Sequence, residues 1–440
     1  MMRTSTLVLY IILFSSCTLF EDEKKDNTAR QQETIEWPSL ANSAWPMHAH
    51  DPQHTGRSIY AGATHGTVEW SNRLDYSTDG SSPILGEDGI YIGTSRDLKS
   101  VFKVTESGVP LWDTPLVGAI TSSPIISSSG NLFVSTNGFD MNAVHCLNSD
   151  GNIVWQLETP TKNKYYNPVL DITGQYLYLI LQNDILKINA NTGSITDSIT
   201  VGGNVVFRGM SPAFATDGSV FYVTGATFAN GWVDGNLSLF AFDTIGNHLW
   251  SYETGLEDDN FRTSYPSINN EGTIFFQFST NQAAYVYAIN PDGTLMWQFE
   301  DAASWNFGFN GISIGNYGDL YLINTDGEKL LSLDANGILR WEFFLENIYT
   351  DPSILNNFPK FSEIAPVIDK DDNVFVAMAA TYYTDTLNFA VYDKDGQLLS
   401  TLALKNDDTD DVRDIYSMPT IGSDGSIYIA VEDGRVYKVR

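Results

Sequence analysis

The sequence predicts an all-β protein: an eight-bladed β-propeller of four-stranded antiparallel blades, closed by an N-terminal strand that completes the last blade. Three observations predict it. The first is a repeated unit: small residue, any, Asp/Asn, two residues, Gly, three residues, Trp. It reads A-I-N-P-D-G-T-L-M-W at Ala288–Trp297, with copies at Ala241–Trp250, Ser332–Trp341 and Cys146–Trp155 and a weaker one at Lys103–Trp112. The Asp or Asn side chain starts a turn by accepting from backbone N–H groups just ahead of it. The Gly supplies a positive φ, and the residues after it alternate as a half-buried strand does. The second observation is an upstream marker, a Pro before an apolar run, a Gly turn and an aromatic β run. It recurs at Pro83, Pro124, Pro168, Pro212, Pro266, Pro366 and Pro419, with Asn310-Gly311 filling the remaining slot. The average spacing is about 48 residues, the size of one propeller blade. The third is order. The first Trp strand, ending at Trp70, precedes the first Pro marker, and no Trp strand follows the last. The strand around Val68–Leu74 therefore completes the final blade, and closure leaves only short strand edges.

In chain order, residues 1–16 read as a signal peptide, with Arg3 ahead of the apolar run Leu7–Phe14. That run is too short to span a bilayer, which takes about 20 residues. Phe14-Ser-Ser-Cys17 resembles the lipobox of bacterial lipoproteins, which implies lipidation of Cys17. Residues 17–36 are polar and charged, without apolar periodicity, and read as a lipidated disordered tether. Residues 37–440 are the propeller. Their lead-in, Trp45-Pro-Met-His-Ala-His-Asp-Pro-Gln-His-Thr-Gly-Arg-Ser, gathers His48, His50, His54 and Asp51. These residue types could hold a metal. The spacing matches no common metal motif, and the prolines exclude a helix through it, so a structural lead-in to the closing strand is the competing reading.

Counting four residues past each turn Gly gives outer-strand positions Trp70, Trp112, Trp155, Asp197, Trp250, Trp297, Trp341 and Ser400. The connectors after Trp250, Trp297, Trp341 and Ser400 are long (255–263, 301–309, 346–363 and 405–416), and blade four carries an insertion at 229–236. Such connectors gather on one face of a propeller, where binding concentrates.

Composition narrows the function. There are 24 Lys+Arg against 54 Asp+Glu, a formal charge of −30. Phosphate binding needs cationic surface, so nucleic acid is excluded as a partner. Beyond Cys17 the one cysteine is Cys146, in the small slot of its unit, which allows no disulfide within the folded part and reads as buried filler.

The repeat units and the W-P-M…D-P-Q-H-T-G-R-S lead-in resemble proteins with pyrroloquinoline-quinone-like (PQQ-like) propeller repeats, over residues 45 to 440. The resemblance implies two function classes. One is a non-catalytic binding or scaffolding module, as in the propeller lipoprotein of the outer-membrane β-barrel assembly machinery, with no cofactor. The other is a quinoprotein-like oxidoreductase using PQQ and Ca²⁺, or another enzyme using the loop face of the propeller. The chain lacks the adjacent cysteines found in many such enzymes, and no Ser-His-Asp or Cys-His spacing is present. Asp369–Asn373 reads as a hairpin turn, and Asp407–Asp414 lacks the Gly and Glu of an EF-hand.

One basic pattern stands out. Lys164, Arg208 and Arg262 each lie four residues before a marker Pro, while Lys360 and Arg413 lie six before theirs. Tyr165, Phe207, Phe261 and Trp305 are neighbours of this set or of its register. Converging cations beside aromatics would suit an anionic or sugar-like ligand at the channel mouth. Local pairing of each cation with an acid such as Glu257 is the alternative. The expectation is a monomeric, lipid-anchored propeller of the bacterial cell envelope, at the outer membrane, binding a protein partner or such a ligand, and touching the membrane through its anchor alone.

Overall fold

The computed structural model describes residues 31–440 apart from 75–76, 79, 139–141, 160–166, 182, 202–203, 208–210, 229–234, 259–261, 281–282, 302–310, 325–328, 345–359, 363, 380–386 and 407–411. Its strands form eight antiparallel sheets, each a meander from the ring axis outward. Blade one is Ile84–Gly86, Gly89–Gly93, Ser100–Val104 and Pro110–Pro115. The last blade is Thr420–Ile421, Ile427–Ala430, Arg435–Val439 and, as its outer strand, Val68–Arg73. Trp70 pairs with Lys438 and Arg73 with Arg435, so the two ends of the chain close the ring as the marker order requires.

Every outer-strand position counted from a turn Gly lies on an outer strand, Asp197 and Ser400 included. The second and third strands are almost wholly buried, while outer strands alternate, as in Leu295–Asp301. One face of each outer strand therefore packs inward and one meets solvent.

The repeat unit is a clasp between neighbouring blades. Trp70, Trp112, Trp155, Trp250, Trp297 and Trp341 each lie on the turn Gly of the next blade, and five of them donate the indole N–H into the same turn. Trp70 Nε1 donates to Glu106 O, Trp112 to Ser149 O, Trp155 to Ala190 O, Trp297 to Ala335 O and Trp341 to Lys394 O, at 2.9–3.2 Å. Where Ser400 replaces Trp, its Oγ donates to Thr64 O, the equivalent carbonyl in the turn that opens the closing strand.

Three blades depart from four strands. In blades four, five and seven an extra short piece precedes the inner strand: Asn204–Phe207, Arg262–Thr263 and Lys360–Phe361. Blade four also has the longest strands, Val220–Phe228, Gly235–Asp243 and His248–Asp258. Part of what reads as connector (255–263) and insertion (229–236) is thus strand: paired backbone satisfies its own N–H and C=O groups, and local polarity hides this.

The marker slot of blade six also differs from the sequence reading. Ser313 pairs with Tyr321 as Ser267 pairs with Phe275, so Ile312 holds the Pro position and Gly311 the position before it. The reason is Tyr265, which holds that preceding position in blade five. A Cβ on Gly311 would stand 2.1 Å from the Tyr265 hydroxyl.

Candidate functional site

Inner strands are sheet edges, and their outward N–H groups face the ring axis. Left alone, these donors would be unpaired. The lead-in meets them. The amide two residues past the marker position donates to a lead-in carbonyl in six blades: Leu85 to Trp45, Ile126 to Pro46, Phe214 to Pro52, Ile268 to Gln53, Ile314 to Thr55 and Ile368 to Gly56, at 2.8–3.0 Å. Blade three is met by Trp37, whose Nε1 donates to Leu170 O, and blade eight by Ala63, whose N–H donates to Gly425 O. Residues 45–56 therefore wind past successive blades as a plug. Trp45, Met47, Gln53 and His54 are buried.

The winding needs unusual backbone. Ala49, His50 and His54 have φ of 53°, 77° and 55°. Such values are costly for residues other than Gly and persist where the surroundings fix them. The meander order places this plug at the face carrying the turns between first and second and between third and fourth strands. The long connectors leave from the opposite, loop face.

The histidines are part of the plug. The His48 and His54 rings both meet Tyr265 edge-on, with centroids at 5.3 and 4.8 Å. His54 Nδ1 donates to Pro266 O at 3.1 Å. His50 pairs with Asp51 at 3.1 Å, and the same carboxylate accepts from the Thr55 N–H and hydroxyl. Burial depresses both plug imidazoles, His48 to about 3 and His54 to about 4, so both are neutral at pH 7. Among the described residues no group of three or more His, Cys, Asp or Glu is arranged around a metal-sized site. Tyr265 runs from blade five toward blade eight, its hydroxyl 3.9 Å from Met418 Sδ. The axis is thus filled by side chains where the inner strands converge.

A hydrogen-bonded belt joins the positions before the marker in five of the blades. Met418 N–H donates to Ser82 Oγ, Ser82 N–H to Ser123 Oγ, Ser123 N–H to Asn167 Oδ1, and Ser211 Oγ to Asn167 O, tying blades eight, one, two, three and four. Asp369 opens a hairpin turn, as read from sequence. Its Oδ1 accepts from the Asp371 and Asn373 N–H groups, and its Oδ2 from Gly62, latching the plug's exit. Cys146 is buried opposite Trp155, and burial pushes its thiol up to about 12.

Of the expected binding residues, Arg262 and Arg413 are half-buried. Lys164, Arg208, Trp305 and the lipidation candidate Cys17 lie outside the described residues. Sheet pairing revises the shared register. Arg262 pairs with Ser279 and Lys360 with Ala379, equivalent places in blades five and seven; the equivalent in blade four is Val206, paired with Ala226, two residues before Arg208. Counting back from Pro misleads because the backbone between the extra strand and the marker varies in length. Sequence reasoning missed the plug and, beside it, a groove of about 1010 Å³ between blades eight, one and two. Glu36, Glu87, Asp88 and Glu106 line that groove.

No curated protein sequence matches the chain. Among solved structures it is similar to BamB from Moraxella catarrhalis (15% identity, TM-score 0.60, 85% of this chain and 99% of that one). It is similar also to the Dos1 propeller (14% identity, TM-score 0.59, 85% and 95%). At such identities the likeness concerns the fold. The family model described as outer membrane protein assembly factor BamB matches residues 55–206 and 173–303, more than half of the sequence, and the chain belongs to that PQQ-like propeller family.

Proposed function

We propose that this protein is a non-catalytic scaffold of the bacterial outer membrane, tethered through a lipidated Cys17, that holds a protein partner of the β-barrel assembly machinery on its loop face. The observation that carries the reading is membership of the assembly-factor family. The plug supports it. Among the described residues the axis is filled by His48, His54 and Tyr265 where the inner strands converge, which favours the surface as the place to bind. Arg262 and Arg413, with Lys164, Arg208 and Trp305, are the candidate contacts. In a chain of charge −30, basic residues at the mouth would attract an acidic partner segment and orient it.

The test is co-purification of the native lipoprotein from solubilised envelopes. The expected result is a stoichiometric outer-membrane assembly protein, lost in an Arg262→Glu, Arg413→Glu double variant that still folds. Recovery of the lipoprotein alone, or dye reduction on addition of PQQ and Ca²⁺ with alcohols or sugars, would overturn it.

A further inference from the structure

The first described residues are built into the plug face. Gln32 N–H donates to Asn316 O at 2.7 Å, and its side chain bonds Glu271 and the Asn270 N–H. Glu33 O accepts from Asn270 Nδ2 and from Arg57 Nη2. Gln32 is 6% exposed, and its partners are the inner-hairpin turns of blades five and six, near the axis. Gln32 and Glu33, which composition places in the tether, are thus packed at a defined point on one face.

From this we infer that the plug face lies against the lipid headgroup surface and that the loop face points away from the membrane. The inference rests on the lipid-anchored reading above. Fourteen residues, or fifteen Cα-to-Cα steps, separate Cys17 from Gln32. Fully extended they reach about 50 Å, and little of that reach is needed when the plug face is toward the membrane. To place the loop face there, the chain must cross three strand spacings, about 14 Å. It must then climb the length of an outer strand, about 20–35 Å. That consumes about two thirds or more of the extended length, and conformational entropy with it.

A second observation concerns the same face. Two residues past the turn Gly, at the plug-face end of the outer strand, six blades expose an apolar side chain. These are Val68, Ile153, Ile195, Leu295, Leu339 and Leu398, each 40–46% exposed. This apolar rim is the part of the ring that meets the headgroup layer.

The test places single fluorophores on the anchored protein in vesicles of phosphatidylethanolamine and phosphatidylglycerol carrying a headgroup acceptor. Ile245→Cys labels a plug-face turn, where Ile245 is 75% exposed, and Thr200→Cys labels the loop-face end of an outer strand. Cys146 is buried and Cys17 acylated, so each label is single. Energy transfer at least twofold greater from position 245 than from position 200 is expected. Equal transfer, or greater transfer from 200, overturns the orientation. Flotation separates this from the reading beneath it: Cys17→Ala should leave the vesicles, and a variant that still floats overturns the anchor itself.

Discussion

The indole of Trp297 lies so close over Gly337 that a Cβ there would stand 2.5 Å from the ring, and its Nε1 donates to Ala335 O at 2.9 Å. Gly337 also has a φ of +77°. One glycine thus meets two demands, the turn of its own blade and the packing of the previous one. Gly108, Gly151, Gly193, Gly293 and Gly396 face Trp70, Trp112, Trp155, Trp250 and Trp341 in the same way. The repeat spacing is therefore a contact between blades written twice into the sequence.

Gly337→Ala should lower stability by about 2–4 kcal/mol, from left-handed strain and overpacking together. Gly130→Ala is the control. Its φ is +80°, but nothing lies within 4 Å of a Cβ there, so strain alone should cost about 1–2 kcal/mol. Urea midpoints of the two variants measure the clasp. Equal losses would mean that the Trp contact contributes nothing.

This clasp explains why the fold was legible. Residues joined across blades repeat, and repetition can be read without knowing the contact. Asp197 and Ser400 kept their places because Gly193 and Gly396 set the register. The plug was not legible for the opposite reason. It occurs once, has no period, and takes positive φ at Ala49, His50 and His54, which only the surrounding blades impose. The cation register failed on similar grounds. Arg262 and Lys360 share a place in the sheets, yet differ in their distance from the marker Pro. The histidines were legible as a cluster, but their role depends on Tyr265, more than 200 residues away.

Tyr265 and Gly311 form a matched pair, large beside small. Gly311→Ala should cost about 1–3 kcal/mol through collision with the ring. Tyr265→Ala should cost about 3–5 kcal/mol through the void left on the axis. Because each change relieves part of the other's defect, the double variant should be more stable than the sum predicts, by about 0.5–3 kcal/mol. Strict additivity in a double-mutant cycle would show that the two sites do not touch.

The plug histidines predict acid sensitivity. Both imidazoles are depressed in the folded protein, His48 to about 3 and His54 to about 4, from 6.5. As pH falls below 6.5, the unfolded chain takes up protons that the folded one refuses. Stability is then complete above 6.5 and lost as pH falls toward 4 and 3. From pH 7 to pH 5 the loss should be about 2 kcal/mol per histidine. Buried Asp369 and Asp372 have raised pKa values and contribute with the opposite sign. The measurement is therefore a comparison. His48→Leu should flatten the fall in urea midpoint between pH 7 and pH 5, and an unchanged slope would contradict neutral burial.

The last prediction separates the two closures. A chain starting at residue 64 retains Val68–Arg73 and its pairing with Arg435–Val439, but lacks the plug. It loses the six inner-strand amide donations to the lead-in, among other bonds, each worth about 0.5–1.5 kcal/mol. The buried side chains of Trp45 and Met47 go with them. A chain starting at residue 77 also loses the closing strand and exposes the edge at Arg435–Val439. Urea midpoints should fall in the order intact, 64–440, 77–440. If the 64–440 chain unfolds with the intact protein, water satisfies the inner amides as well as the plug does, and the plug's role lies in filling the channel. If 77–440 matches 64–440, the ring does not depend on its N-terminal strand, and stability resides in the clasps between neighbouring blades.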